Sequence, residues 1–487
     1  MLLLAAGVVA AVIPNLFPFP DATGLVSTYH VNGPIEEKGL FFQSLGTNGR
    51  SCATCHVAAN AMGLSAQNAQ ERFLLSGGKD PLFAAVDGAN CPGSNSRQAS
   101  AHSLLLKNGL IRVGITLPAG TQFGIRAAVD PYGCAITTDA TGAQTVSVYR
   151  RPLPTTNLRF LSTVMFDGRE TIAPLNKDDG SFQTNLMTDL MHQALDATNG
   201  HAQAAVPLTS EQQQEIVNFE LGLYSAQMLD YRGGMLNHRG AAGGAENLSG
   251  ANYHPGINDT LGGDPTGAKF NPDGMTLFAS WDNLQADDYR EREVAAARRD
   301  IAAGETLFNS RPITITNVRG LNDNAALAAA LGVTLPIPAI AGTCTTCHDT
   351  PNVGDHSLPL PLDIGAGHDA AQESDAAIAN ALAQLSFPGV PVYAITGCPN
   401  PFAAAGTASA PYVIYTTDPG KGLVTGQCSD VNRVKGPVLR GLAARAPYFH
   451  NGAAKDLNEV LNFYNQRFQM NLTDTERRRL IAFLNAL

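Results

Sequence analysis

Two copies of one short pattern contain the residues best suited to chemistry in this 487-residue chain. Each copy reads Cys-x-x-Cys-His, and together they comprise Cys52, Cys55, His56, Cys344, Cys347 and His348. Two thiols at this spacing lie about one helical turn apart, so both can form thioethers to the vinyl groups of one porphyrin. The adjacent imidazole can then bind the iron as an axial ligand. The pattern predicts two covalently bound haem c groups, with His56 and His348 as iron ligands.

A Cys-x-x-Cys pair also occurs in zinc sites and in thioredoxin-like dithiols. A zinc site would need a second Cys or His pair nearby, and neither copy has one. A redox dithiol does not require the trailing histidine. Haem attachment is therefore the interpretation that both copies favour.

The composition narrows the classes of partner. The chain is 44% hydrophobic and 15% charged, with a formal net charge of −10. No run of lysine or arginine exceeds three residues, so nucleic-acid binding is not expected. An acidic surface would suit a basic electron-transfer partner.

Cysteine usage and the N-terminus both point outside the cytoplasm. The four cysteines outside the motifs are predicted to form the disulfides Cys91–Cys134 and Cys398–Cys428, the alternative being four buried free thiols. Residues 1–25 form an apolar segment that resembles an export signal and is short for a membrane span. We therefore expect a periplasmic protein whose mature form has no membrane span.

The two halves of the chain end in the same helical pattern. Apolar residues fall seven, eight and ten positions after Thr209 and again after Thr473, which marks one face of a helix. Thr473 and Glu476 form a capping-box pattern at the second helix start. A short helix is predicted at residues 36–42, before the first motif, and another helix at residues 291–299, before the second. Each half has the element order of a class I cytochrome c domain.

The predicted fold is mainly α, with two class I cytochrome c domains, each holding one covalent haem, and loop insertions with little β. The predicted segments are a signal-like segment at 1–25, an N-terminal haem domain at 26–232, a glycine-rich linker or excursion at 233–290, and a C-terminal haem domain at 291–487. Residues 110–155 and 388–430 are rich in Gly, Pro and Thr and are expected to form loops or short hairpins.

Further motifs resemble one known family. Residues 446–452 read Ala-Pro-Tyr-Phe-His-Asn-Gly, and residues 166–169 read Phe-Asp-Gly-Arg, followed later by Gln193 and Ala194. With the two haem motifs, this set closely resembles the bacterial dihaem cytochrome c peroxidase and MauG family over nearly the whole chain beyond residue 35. The resemblance implies neighbouring haems, a hydrogen peroxide reaction at the N-terminal haem, and electron transfer at the C-terminal haem. It also implies a small donor protein, a cytochrome c or cupredoxin, or a protein substrate.

The chain departs from the peroxidase pattern at the second iron. The peroxidases have a methionine ligand fourteen residues after the histidine that corresponds to His450, and here that position is Tyr464. MauG-type proteins carry tyrosine there. A phenolate stabilises ferric and higher-valent iron, so this haem would have a low potential. Met470 is the alternative ligand, in which case the Tyr464 hydroxyl bonds elsewhere.

The first haem departs from the pattern on its distal side. The family glutamate about ten residues after Gln193 is replaced by Gln203, which cannot transfer a proton. His201 can do so, because imidazole titrates near neutrality, although it could also be a surface residue. The candidate catalytic residues are thus His201, Gln193 and Gln203. Arg72 stands where the peroxidases have a removable distal histidine, so we expect an open iron without reductive activation.

The resemblance supplies several weaker candidates. Arg169 and Arg440 are expected to bind haem propionates, and His450 to bond a propionate or line the space between the haems. Phe166 replaces the tryptophan that the family places between its haems. The family's inter-domain calcium ion is a possibility, since Pro447 fits its motif, although Arg445 replaces the usual threonine.

The leading hypothesis is a periplasmic dihaem oxidoreductase that reacts with hydrogen peroxide. Two alternatives stay open at this stage. One is a non-enzymatic dihaem electron carrier with both irons fully ligated, and the other is an oxygen-using dihaem oxygenase that acts on an organic substrate. The ligation of the first iron distinguishes the carrier from the enzymes.

Overall fold

The computed structural model describes residues 12–94, 96–173, 181–372, 389–402 and 412–487. In this part of the chain the α-helices are α1 (Ala66–Ser76), α2 (Ser103–Asn108), α3 (Phe182–Gly200), α4 (Ser210–Leu221), α5 (Ala245–Ser249), α6 (Arg292–Ser310), α7 (Ala325–Leu331), α8 (Gly422–Thr425), α9 (Leu457–Arg467) and α10 (Asp474–Asn485). None of these helices has both the length and the apolar character needed to cross a bilayer.

The strands are short and antiparallel. They are β1 (Val12–Ile13), β2 (Phe19–Pro20), β3 (Gly24–His30), β4 (Ile35–Glu36), β5 (Ile111–Thr116), β6 (Gly124–Val129), β7 (Ile136–Thr138), β8 (Gln144–Arg150), β9 (Leu223–Asp230), β10 (Gly234–Met235), β11 (Ile313–Ile315), β12 (Ile340–Gly342), β13 (His368–Gln372), β14 (Val392–Thr396) and β15 (Tyr412–Thr416). The structure is 32% helical and 16% strand, so it contains more β-structure than the predicted fold with little β.

The closing helices form where the sequence pattern predicts them. Helices α4 and α10 begin after Thr209 and Thr473, and each threonine forms a capping box with the residue three positions on. Helix α6 confirms the predicted helix before the second motif, and it crosses α10 closely. A Cβ atom at Gly304 would lie 2.0 Å from the Arg479 carbonyl oxygen, so the crossing requires glycine there. This is the crossing of first and last helices expected of a class I cytochrome c domain.

The short helix predicted at residues 36–42 is wrong. Ile35 and Glu36 form β4, which pairs with β1, and only Leu40–Phe42 form a turn of 3₁₀ helix. Gly39 interrupts the segment, and Ile35 is buried in the strand, so a helix here would be both short and poorly packed. The first half therefore lacks the long opening helix that α6 provides in the second.

The two segments rich in Gly, Pro and Thr, residues 110–155 and 388–430, are joined in a shared sheet. Strand β6, from the first half, pairs with β14 from the second in the order β13-β15-β14-β6, and β5-β8-β7 form a further sheet beside it. The segments expected as loops or hairpins thus build β-structure that connects the halves. Both predicted disulfides are formed: Cys91–Cys134 has one cysteine in the first of these segments, and Cys398–Cys428 has both in the second.

The apolar N-terminal segment overlaps a sheet of the first half. Strand β2 pairs with β3, which pairs with β9, and β1 pairs with β4, so residues from 12 onward belong to the folded body. The first eleven residues lie outside the described residues. Export remains a prediction.

The glycine-rich stretch between the halves is packed rather than extended. Trp281 is fully buried in the core of the second half, where its indole N–H donates to the His238 carbonyl at 2.9 Å. Ala245 and Leu248 are buried in the core of the first half. The stretch therefore contributes to both cores.

Candidate functional site

The first Cys-x-x-Cys-His motif lies in the wall of an internal cavity. Cys52, Cys55 and His56 line this first cavity, which has about 160 Å³ accessible to the centre of a water molecule. The His56 Nδ1 atom lies 3.2 Å from the Met62 carbonyl oxygen. This contact fixes the ring through Nδ1 and leaves Nε2 as the metal-binding nitrogen.

The second motif occupies a matching position in a second cavity of about 230 Å³. Cys344, Cys347 and His348 line it, and the His348 Nδ1 atom lies 2.6 Å from the Gly354 carbonyl oxygen. The carbonyl follows the histidine by six residues in both halves. The same local geometry therefore presents one imidazole nitrogen in each cavity.

The residues in both motifs fit a covalent haem. The four motif cysteines are free thiols, whereas the other four are paired in disulfides. Burial raises the pKa of Cys52 and of Cys344 to about 12, and burial lowers the pKa of His56 to about 4. Burial therefore favours the neutral imidazole, which is the form that binds iron, and keeps the thiols protonated.

Two buried charged residues, Asp87 and Arg50, position His201 at the first cavity. His201 lines this cavity, and its Nδ1 is hydrogen-bonded to the Asp87 carboxylate. Asp87 also forms a buried ion pair with Arg50, whose Nε donates to the Pro81 carbonyl at 2.8 Å. Burial alone would raise the pKa of Asp87, but Arg50 and then His201 outweigh it and hold that pKa below its usual value. Asp87 thus stays ionised and orients the imidazole.

Of the two candidate glutamines, the structure brings only one to the cavity. Gln193, Ala197 and His201 line it at intervals of four residues, along one side of α3 and its C-terminal end. Gln203 is exposed outside the cavity, and its Oε1 lies 3.3 Å from the Asn48 Nδ2 donor. Its backbone is left-handed, with φ at 55°, so the chain has left the helix before this residue. Gln203 is not placed to take the role of the family glutamate.

Both candidate ligands of the second iron line the second cavity. Tyr464, on α9, and Met470 both face it, together with Phe308 and Phe468. Burial raises the pKa of the Tyr464 phenol. Among the described residues the Tyr464 hydroxyl has no hydrogen-bond partner, which leaves its oxygen available to the cavity.

The linings of the two cavities meet at a turn of backbone. Met165 lines the first cavity and its neighbour Phe166 lines the second, where its ring centroid lies 6.0 Å from that of His450. Met165 has a left-handed backbone, with φ at 65°, which is uncommon for a residue other than glycine. Met165 and Phe166 therefore lie where the linings of the two cavities meet.

The two arginines expected to bind propionates lie outside the linings of both cavities, and their role stays a prediction. Arg169 pairs with the Asp167 carboxylate at 3.1 Å, and Arg440 donates from Nε to the Asn352 carbonyl at 2.6 Å, while its buried Nη1 has no hydrogen-bond partner among the described residues. Lys435 and Arg445 line both cavities and are partly or wholly buried. The family resemblance did not indicate Lys435 or Arg445 as propionate ligands, because neither occupies the position of an arginine in the family motifs.

A buried ion network joins the two halves next to His450. Arg150, at the end of β8, pairs with Asp167 of the Phe-Asp-Gly-Arg motif and with Asp418 at 2.6 Å. His450 lines the second cavity, and its Nε2 lies 3.8 Å from an Asp418 carboxylate oxygen. His450 therefore lies between the network and the second cavity.

The region that corresponds to the family calcium site does not fit a calcium ion. The Arg445 carbonyl accepts a hydrogen bond at 2.7 Å from the guanidinium of Arg151, which also donates to the Leu64 and Gly109 carbonyls. The Arg445 guanidinium lies nearby and, after burial, lowers the pKa of Arg151. Two buried positive groups therefore occupy the region where a divalent cation would need carbonyl oxygens.

Sequence reasoning missed the residues that support these side chains. Asp87, Arg50 and Asp418 lie in no motif, and only their burial and contacts reveal them. Arg72, at the sequence position of the family's removable distal histidine, pairs with Asp80 and donates to the Thr54 carbonyl outside the cavity. The two cavities thus carry matched Cys-x-x-Cys-His motifs and share several lining residues.

No protein-family model matches the chain. Parts of the chain are similar to two curated proteins named cytochrome-c peroxidase IdrP2. The protein of Denitromonas iodatirespirans is 29% identical over 153 residues, which cover 30% of this chain and 36% of that protein. The protein of Pseudomonas sp. (strain SCT) is 32% identical over 102 residues, covering 20% and 25%. The match thus spans about a third or less of these relatives and supports a relationship to cytochrome c peroxidases.

Proposed function

We propose that this chain is a dihaem c-type oxidoreductase that reacts with hydrogen peroxide at its N-terminal haem and receives electrons through its C-terminal haem. The observation that carries the proposal is the His201–Asp87 pair in the wall of the first cavity, which also holds His56. The name of the partial relatives, cytochrome-c peroxidase, supports the same reaction class.

The reduction of peroxide requires the protein to supply and transfer protons at the reaction site. The reaction consumes two electrons and two protons and converts hydrogen peroxide into two molecules of water. An iron held by His56 would bind peroxide and supply the redox chemistry. His201 accepts a proton from one peroxide oxygen through Nε2 and returns it to the other, because its Nδ1 is occupied by Asp87. Such proton transfer contributes about 10²–10⁴-fold to enzymatic rates.

The surrounding residues position this base. Asp87 fixes the tautomer and orientation of His201, as a buried carboxylate does for a catalytic histidine elsewhere. Arg50 holds Asp87 in place and stabilises its charge. Gln193 lines the same wall of the cavity and supplies an amide that can hydrogen-bond the bound oxygen atoms.

The second cavity suits electron transfer and the storage of oxidising equivalents. Tyr464, rather than a methionine, is our proposed second ligand of the iron held by His348, which makes the protein MauG-like in this respect. The unbonded Tyr464 hydroxyl supports this choice over Met470. Electrons come from a cytochrome c or cupredoxin, or from a protein substrate. The two disulfides support an oxidising compartment, so we propose a periplasmic location.

The experiment compares two histidines of the same helix region in the haem-loaded protein. His201→Gln removes the proton carrier, and His192→Gln removes a histidine that pairs with Glu170 at 2.7 Å outside the cavity. We expect the rate of reaction with peroxide to fall by about 10²-fold or more in the first variant and to stay unchanged in the second. Equal rates in His201→Gln and the wild type would overturn the role of His201, and an inert wild type would overturn the reaction.

One observation favours a second candidate, a dihaem electron carrier. Met165 lines the first cavity, and a thioether is a common axial ligand of electron-transfer haems. If Met165 binds the first iron, Met165→Leu should convert a low-spin spectrum into a high-spin one. If the first iron is already high-spin, the substitution should leave its spectrum unchanged, and the carrier is excluded.

A further inference from the structure

The closing helix of the first half carries a carboxyl group where the second half carries an alkyl group. Glu220 lies eleven residues after the capping Thr209, and Leu484 lies eleven residues after Thr473. Glu220 lines the first cavity and is only 3% exposed, while Leu484 lines the second. The repeat therefore places an acid in one cavity alone.

Glu220 has no partner that explains its burial. Within the described part of the chain its carboxyl forms no ion pair, and its Oε2 atom is buried without a hydrogen bond. Leaving such a group unpaired is costly, so an unpartnered buried acid is rare unless it has a role. Burial raises the pKa of Glu220 to about 8, and Glu220 in turn adds to the effect of burial in raising the pKa of Cys52.

The charged groups around Glu220 are engaged elsewhere. The first cavity is also lined by Arg50, which pairs with Asp87, by Lys435, which donates to the Thr163 carbonyl, and by Arg445, which donates to backbone carbonyls, as well as by His56 and His201. The elements packed against α4 are α3 and the turns Leu40–Phe42 and Leu158–Phe160. Their ionisable residues are Asp189, His192, Asp196 and Arg159. Burial alone shifts the pKa of Glu220.

We propose that Glu220 is a proton-binding residue of the first cavity, which takes up one proton when the first haem gains one electron and releases it when the electron leaves. The step is balanced, since ferric iron, one electron, one proton and the Glu220 carboxylate give ferrous iron and the Glu220 carboxylic acid. The electron comes from the same donor class as in the proposed function. The inference rests on that function only for the presence of the first haem.

The physical basis is the mutual repulsion of an added electron and a buried carboxylate. At an effective dielectric constant of about 20, two unit charges about 10 Å apart interact strongly enough to change a proton affinity on the order of tenfold. Water and mobile ions screen buried charges much less than exposed ones. Leu484 cannot take part in such an exchange, so the second haem should lack this proton.

The test is the reduction potential of each haem against pH in the haem-loaded protein. Potentials are measured from about pH 5 to about pH 10, which brackets ordinary and raised carboxyl pKa values. We expect a window in which the potential of the first haem falls as the pH rises, by about 59 mV in total for a tenfold change in proton affinity. Glu220→Gln should abolish this slope, and Glu215→Gln, an exposed glutamate on the same helix, should retain it.

A second measurement covers the case in which Glu220→Gln folds poorly. Infrared difference spectra of the wild type on reduction should show a protonated carboxyl band, and Glu220→Leu, which copies the second cavity, should lack it. An unchanged slope in Glu220→Gln, or no carboxyl band in the wild type, would overturn the proposal. Both readouts are independent of peroxide, so a protein inert to peroxide that keeps them would overturn only the proposed function.

Discussion

The two cavities share their framework and differ in their linings. Each contains a Cys-x-x-Cys-His motif, a histidine Nδ1 held by a carbonyl six residues on, and a closing helix with the same threonine cap. The first adds ionisable groups, among them His201 and Glu220, whereas the second adds Tyr464 and apolar side chains. Repeated elements therefore account for the proposed haem attachment, and the non-repeated lining accounts for the chemistry proposed at each haem.

The comparison also shows that the halves are not independent. Lys435 and Arg445, both from the second half, line both cavities, and Arg150 from the first half pairs with Asp418 from the second. Strands β6 and β14 connect residues 110–155 and 388–430 in one sheet. A change in this shared region should affect both cavities, whereas a change in the lining should affect one.

The largest expected effect is confined to the first cavity. Asp87→Asn leaves the size of the side chain but removes the charge that orients His201, so the rate of reaction with peroxide should fall by about 10²–10⁴-fold. Stopped-flow kinetics measure this rate. Thermal unfolding tests whether the variant still folds stably when Arg50 has lost its carboxylate partner. The potential of the second haem should not change. A wild-type rate would show that His201 does not depend on Asp87.

A second substitution should affect only the second cavity. Tyr464→Phe removes the proposed phenolate ligand and should raise the potential of the second haem by a few tenths of a volt, since axial ligands tune haem potentials over about 0.8 V. Met470→Leu serves as the matched control and should leave the potential unchanged. Spectra and potentials that change in Met470→Leu and not in Tyr464→Phe would assign the ligand to Met470.

The shared region can be tested by its stability. Arg150→Met leaves Asp167 and Asp418 buried without their common partner, so the free energy of unfolding should fall by about 3–5 kcal/mol. Arg239→Met breaks an exposed ion pair with Asp287 and should cost less than about 1 kcal/mol. Denaturant unfolding of both variants measures the difference. Equal losses would mean that the buried network does not hold the halves together.

The same network predicts how stability depends on acid. Burial would raise the pKa of Asp167, but Arg150 and then Arg169 lower it to about 2. Because the folded pKa lies below the unfolded one, this carboxylate contributes about 2 kcal/mol that is fully present above about pH 4 and is lost as the pH falls toward about 2. Unfolding free energies across this range should show the loss, and Asp167→Asn should flatten it.

The smallest expected effect tests the repeated framework itself. Thr209→Ala and Thr473→Ala each remove the side-chain oxygen that caps a closing helix, so each should lower the free energy of unfolding by about 1 kcal/mol. Ser249→Ala, at the end of α5, provides an uncapped comparison. Clearly unequal losses at the two caps would show that the closing helices are not equivalent.

The sequence predicted the features that depend on short spacing. The haem motifs, the capped helices after Thr209 and Thr473, and both disulfides follow from residues close together in the chain or from the small number of cysteines. These predictions rest on local geometry, which periodicity and motif spacing can record. The placement of Tyr464 at the second cavity follows instead from the family resemblance, which aligns it with an iron ligand fourteen residues after His450.

The remaining features depend on contacts between distant residues. Asp87 lies 114 residues from His201, and Arg150 lies 268 residues from Asp418. No local pattern marks such pairs, and the pairing of β6 with β14 has the same origin. The family spacing of ten residues after Gln193 led to Gln203, which does not line the cavity. The reason is that the chain leaves α3 after Gly200 and turns at Gln203.

The most direct test of the central claim is electron paramagnetic resonance of the fully ferric protein, before and after the addition of stoichiometric peroxide. The claim is that the first iron is open beside a proton carrier and the second is ligated by His348 and Tyr464. We expect a high-spin signal from the first haem that disappears with peroxide and a low-spin signal from the second. Two low-spin signals that do not change with peroxide would contradict the account.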